Sequence, residues 1–73
     1  MVKRVIFFNL ETEMLRAGIT RAKLAKILNL SPVTVSSKFN GKTEFTLKEM
    51  NQIRYELEKI NGSAYGLDYL FLK

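Results

Sequence analysis

The sequence predicts an all-α fold, a compact bundle of about five short helices in a single domain spanning residues 1–73. Three observations predict it. Apolar residues recur at spacings of three and four along most of the chain, the periodicity of one helix face. Helix-starting and helix-stopping residues punctuate that pattern at short intervals. One proline and four glycines leave room for several uninterrupted helices.

The first helix is expected over roughly 6–17, where Phe7, Leu10, Met14 and Ala17 fall on one face. Glu11 and Glu13 lie toward the end where the helix dipole favours negative charge, and Gly18 ends the helix. The residues before it, 2–8, read equally as a basic arm, a short strand or part of helix one. A second helix is expected over 21–28. Thr20 is its N-cap and Leu24, Ala25 and Leu28 its inner face, with Arg21, Lys23 and Lys26 outward. Asn29 suits the left-handed ending. The third helix follows Ser31, a strong N-cap residue. Pro32 takes the first helical position, where its missing N–H does no harm. Val35 and Phe39 give it an inward stripe, and Asn40-Gly41 closes it.

The fourth helix is expected over 47–60, opened by Thr46 and Glu49 at the spacing of a capping box. Leu47, Met50, Ile53, Leu57 and Ile60 form its inner stripe. The cluster "NGSAYG" is a turn. "LDYLFLK" reads as a short last helix, with a strand as the alternative.

Composition narrows the function. There is no cysteine and no histidine, which excludes a disulfide framework and zinc sites of the Cys/His kind. No cofactor or metal is expected. An enzyme is not expected either: the acids read as scattered over surface-like positions, and no serine has a visible base partner. The tyrosines Tyr55, Tyr65 and Tyr69 read as packed with the hydroxyl near solvent. "VIFF", the longest apolar run near the start, is too short for a signal-peptide core or a membrane span, so no membrane partner is expected.

The net charge is +5, unevenly placed. Residues 1–43 carry eight Lys/Arg against two acids, hence +6, and residues 44–73 carry four against five, hence −1. A localised positive field attracts polyanions, although a solvated basic face has the same composition. The excess lies in and before a tight helical pair. There Ala25 permits close approach, Asn29 turns the chain, Leu30 plugs the turn and Val35 anchors the next helix. This is the logic of a helix-turn-helix over 21–40.

The run "RAKLAKILNLSPVTVSSKFN" (21–40), extended by Gly41-Lys42, resembles the helix-turn-helix of the Cro and lambda-repressor family of small phage transcriptional regulators. The matched positions are Leu24, Ala25, Leu28, Leu30, Val35, Asn40, Gly41 and Lys42. With the flanking helices, the resemblance covers about residues 6 to 72. Two positions depart from the family pattern. Asn29 stands where the family has glycine, and Lys38 stands where it has an apolar residue. Phe39 is expected to fill that apolar space and to leave Lys38 pointing outward at a phosphate.

The resemblance implies a sequence-specific repressor whose third helix, 32–40, lies in the major groove of a double-stranded DNA operator. Pro32, Val33, Ser36 and Ser37 would face bases, with Thr34 beside them. Arg21, Lys38, Asn40, Lys42 and Thr43 would meet phosphates. Serine and threonine bond to either kind of base and valine meets a thymine methyl. No side chain early on this helix forms a bidentate pair with guanine or adenine. Direct readout is therefore modest, and DNA shape contributes more.

With nothing read beyond the fifth helix, one fold is expected both to bind DNA and to form a homodimer, at least on DNA. The apolar Leu67, Tyr69, Leu70 and Phe71 are expected to supply the twofold contact. The alternative function is an anti-repressor or repressor modulator that pairs with another phage helix-turn-helix regulator. Either would act in the cytoplasm of a bacterial host, at the nucleoid.

Overall fold

The computed structural model describes residues 7–72. Five helices follow one another: α1 (Phe8–Ala17), α2 (Arg21–Leu28), α3 (Pro32–Phe39), α4 (Leu47–Asn61) and α5 (Leu67–Leu70). No strand occurs among the described residues. Residues 2–6 of the stretch with three readings lie outside them. Phe7 stands just ahead of α1, and Phe8 is its first residue.

The local signals act as their chemistry requires. The Thr20 hydroxyl accepts the Lys23 N–H at 3.1 Å, and the Ser31 hydroxyl accepts the Thr34 N–H at 3.2 Å. Thr46 and Glu49 form the reciprocal capping box at the start of α4. Helices α1, α2 and α3 end in the same way. A left-handed residue (Gly18, Asn29, then Gly41) lets its own N–H and the next one return to the last turn. Ile19 and Leu30, each just past such an ending, then turn into the protein.

The core is one cluster centred on Leu10, Leu24, Val35, Phe39, Ile53, Leu57 and Leu70. Helices α1, α4 and α5 pack on one another, and α2 packs on α4. Among the described residues, α2 is the one helix whose backbone runs close to α3, which joins the core through Val35 and Phe39 and leaves Pro32 and Val33 exposed. An aromatic group closes one end of the core. Phe45 lies 5.5 Å from Phe7, 5.6 Å from Phe39 and 5.4 Å from Phe71, ring centre to ring centre.

Three expectations are corrected. First, the inner stripe of α4 is shorter than its periodicity implies. Met50, Ile53 and Leu57 pack inward, but Leu47 is 62% exposed and Ile60 47%. At 1.5 Å per residue, α4 is about 22 Å long against about 15 Å for α1, so its end turns outrun the partner. Second, Leu70 is not at the surface: its exposure is 0%, because α5 folds back onto α1 and α4 and fills their common core. Phe71 joins the aromatic group, and Leu67 is half-buried. Of the four residues expected at a twofold contact, Tyr69 alone is exposed.

Third, one acid is buried. Glu13 lies inside with its carboxylate accepting the Tyr65 hydroxyl at 2.6 Å and the Tyr69 hydroxyl at 3.0 Å. The Asn61 amide donates to its backbone carbonyl at 3.2 Å. The two tyrosine rings stack at 6.1 Å with their planes 10° apart. Their hydroxyls therefore serve a buried carboxylate rather than solvent.

Candidate nucleic-acid interface

The second and third helices pack closely, with small and branched side chains on their buried sides. Ala25 and Leu28 of α2 and Val35 and Phe39 of α3 are all buried. Ala25 admits the close approach, and Val35 is rigid about χ1, so it seats α3 in one orientation. One or two residues from these anchors the helix surface turns away from the core. Val33 is 75% exposed and Pro32 is exposed, while Ser36 and Ser37 are half-buried on the flanks. Thr34 is half-buried, and its hydroxyl lies 2.9 Å from that of Ser31, which commits it to the helix cap.

Arg21, first residue of α2, reaches the far end of α3. Its guanidinium lies 4.4 Å from the Phe39 ring centre and 3.3 Å from a Glu11 carboxylate oxygen. Ring and carboxylate fix its direction while its side chain stays more than a third exposed. Asn40, Lys42 and Thr43 follow α3 and are exposed. The structure thus brings Arg21, Asn40 and the 42–43 loop to one end of α3, with Val33 and the serines along its outer side. Between residues 21 and 43 there is no acidic residue. Lys23 and Lys26 are exposed on α2.

Comparison with known protein families, curated proteins and solved structures finds no match.

Lys38 is the main departure from expectation in this region. It does not point outward. Its side chain is 8% exposed, its ammonium lies 3.0 Å from Glu49 Oε1, and it donates to the Glu44 carbonyl at 3.1 Å. Position 38 follows Val35 by three, so it lies toward the buried side of α3. The methylenes occupy apolar space beside Phe45, and the charge ends on a partner. Phe39 is buried as well, and the two side chains share the inner side of α3. The i, i+3, i+4 relation of residues 35, 38 and 39 is the signal that identifies Lys38 as inward-facing.

Glu49 is the matching group. One oxygen takes both the Lys38 ammonium and, at 2.9 Å, the Thr46 N–H of the capping box. Burial pushes its carboxyl up, but the Thr46 N–H and the Lys38 charge outweigh that, and the pKa lies below the ordinary carboxylate value. Glu13 is also lowered. The Tyr65 hydroxyl is the main cause, burial opposes it, and Tyr69 and Arg16 add to the lowering. The Tyr69 hydroxyl is raised in turn, chiefly because its proton is shared with Glu13. Glu13 had a comparable sequence signal, since 10, 13, 14 and 17 lie on one helix face.

Among the described residues no group of three or more acidic, histidine or cysteine side chains could hold a metal ion, and no helix is long and apolar enough to cross a membrane.

Proposed function

We propose that this chain is a sequence-specific DNA-binding transcription regulator, a repressor of the small phage type, which lays α3 in the major groove of its operator. The observation that carries this reading is the orientation of α3. Val35 and Phe39 hold it to the body, Val33 is turned to solvent, and residues 21–43 carry basic side chains and no acid. Val33 meets a thymine methyl, and Pro32, Ser36 and Ser37 line the base edges. Arg21, Asn40, Lys42 and Thr43 follow the phosphates on either side. Lys38 is no longer among the contacting residues, and Thr34 contributes less than its neighbours because its hydroxyl serves the cap.

A module with so few contacts binds best as a twofold pair, with recognition helices about 34 Å apart on one DNA face. Since Leu70 and Phe71 are taken up by the core, such a contact falls to Tyr69 and Leu72, both exposed. The protein would work in the cytoplasm of a bacterial host.

One observation favours a second reading, an anti-repressor or repressor modulator acting on another helix-turn-helix protein. The outer side of α3 offers an exposed valine and small hydroxyls but no Arg, Gln or Asn that could read a base pair bidentately.

Selection of bound sequences from random double-stranded DNA, followed by anisotropy titrations at several salt concentrations, tests both. Enrichment of a sequence, a steep fall of affinity with salt, and a slope flattened by about one in Arg21→Ala support DNA binding. Absence of enrichment together with no binding at low salt rejects it. Saturable pairing with a purified helix-turn-helix regulator would then favour the second reading.

A further inference from the structure

Lys38 and Glu49 connect three pieces of backbone, the end of α3, the loop that follows it and the start of α4. Lys38 belongs to the last turn of α3. Its ammonium holds the Glu44 carbonyl in the middle of the 40–46 loop and the Glu49 carboxylate in the first turn of α4. That carboxylate also holds the Thr46 N–H at the end of the loop. At the other end, the Gly41 and Lys42 N–H groups return to the carbonyls of Lys38 and Ser37. Lys42 and Thr43 lie between these clamped points and are exposed.

We infer that Lys38 is a positioning residue for nucleic-acid binding: from inside the protein, its ammonium clamps the 40–46 loop, so that Lys42 and Thr43 present their donors at a fixed distance from α3. The inference rests on the DNA-binding reading of α3 and adds to it how the neighbouring loop is held. An apolar residue at this position would fill the same space beside Phe45 but would hold neither the Glu44 carbonyl nor Glu49. The methylenes supply the packing, and the charge supplies the register between helix and loop. Pre-ordering a contact loop lowers the entropy lost on binding and so raises affinity without adding a contact.

The variant Lys38→Met keeps the unbranched apolar stem and removes the charge. The Glu49 side chain keeps some access to water, so the fold is expected to persist, as a two-dimensional amide spectrum would show. Three readouts follow on the full chain. Exchange at the Lys42 and Thr46 amides should rise about tenfold or more as the clamp is lost. The Glu49 carboxyl, followed by its side-chain carbon resonance, should titrate closer to the ordinary carboxylate range.

The third readout is affinity for the selected DNA, which should fall about tenfold with an unchanged salt slope, since no phosphate contact is lost. Lys42→Ala, which removes a direct contact, should flatten that slope by about one. Lys38→Arg keeps the charge and should recover part of both loop protection and affinity.

A flattened slope in Lys38→Met with unaltered amide exchange would mean that Lys38 itself reaches a phosphate, and the inference fails. Unaltered exchange with unaltered affinity would reduce Lys38 to a space-filler, and the inference fails again. If the wild-type chain binds no DNA, the functional reading is lost. Exchange at Lys42 and Thr46 then still decides whether Lys38 holds the loop. Should Lys38→Met not fold, Glu49→Gln weakens the clamp from its other side and is expected to loosen the same two amides.

Discussion

The hydroxyl of Tyr65 donates to the buried carboxylate of Glu13 across 2.6 Å, joining the middle of α1 to the turn before α5. The Tyr65 N–H also donates to Glu58 Oε2 at 2.8 Å, so the turn is tied to α4 at the same residue. Tyr65→Phe keeps the ring and its stacking on Tyr69 but leaves Glu13 short of its shortest hydrogen bond. Hydrogen bonds to a charged group contribute about 1.5–3 kcal/mol, and a loss of that order is expected in urea unfolding with an unchanged m-value. A change under half a kcal/mol would show that water replaces the hydroxyl.

Acid should destabilise this protein in a defined sense. Glu13 and Glu49 both have folded-state pKa values lowered below their ordinary ones. For a depressed carboxylate the added stability is fully present above the unfolded-state pKa, about 4.3, and disappears as pH falls through the folded-state value. Melting temperatures should therefore be flat with respect to these two groups from neutral pH to about 5 and fall below about 4. Glu13→Gln removes one of the two titrating groups, so its acid limb should be shallower than that of the wild type. An equal slope in both would assign the acid sensitivity elsewhere.

The turn between α2 and α3 tests the left-handed ending. Asn29 has φ 58° and ψ 44°, the one described non-glycine residue with positive φ. Asn29→Ala places a Cβ in that conformation and should cost about 1 kcal/mol. Asn29→Gly fits the backbone without strain and should be close to neutral. The difference between the two, read from thermal unfolding, isolates the backbone contribution, because both variants lose the same amide. An alanine variant as stable as the glycine variant would mean that the turn relaxes to another conformation.

The inward turn of Leu70 separates folding from association. Leu70 is fully buried among α1, α4 and α5, so Leu70→Ala should cost about 2–5 kcal/mol through the cavity it leaves. A core defect lowers the melting temperature equally at every protein concentration. A defect at a twofold contact gives a melting temperature that depends on concentration. Concentration series of the wild type and Leu70→Ala by calorimetry distinguish the two, and a concentration-dependent loss in the variant would return Leu70 to an interface.

The helix boundaries were legible in the sequence because their causes are local. Thr20, Ser31 and Thr46 cap N–H groups three residues away. Gly18, Asn29 and Gly41 allow the backbone to reverse in place, and Leu24, Val35 and Ile53 announce their inner faces by spacing alone. The outward direction of Val33 follows from the same spacing once Val35 and Phe39 are inside.

Tertiary contact decided the fate of side chains at the margins of those faces. A lysine three residues after a buried valine lies at the margin of the inner face, and its flexible stem can carry the charge out to solvent or in to a partner. Lys38 goes inward because the Glu44 carbonyl and the Glu49 carboxylate arrive at its ammonium from six and eleven residues later. Glu13 is tolerated inside because hydroxyls more than fifty residues away reach it. Leu70 and Phe71 read as spare apolar surface until α5 folds onto α1 and α4. Burying a charge is unfavourable unless partners meet it there, and those partners are brought together only by the chain's path in three dimensions.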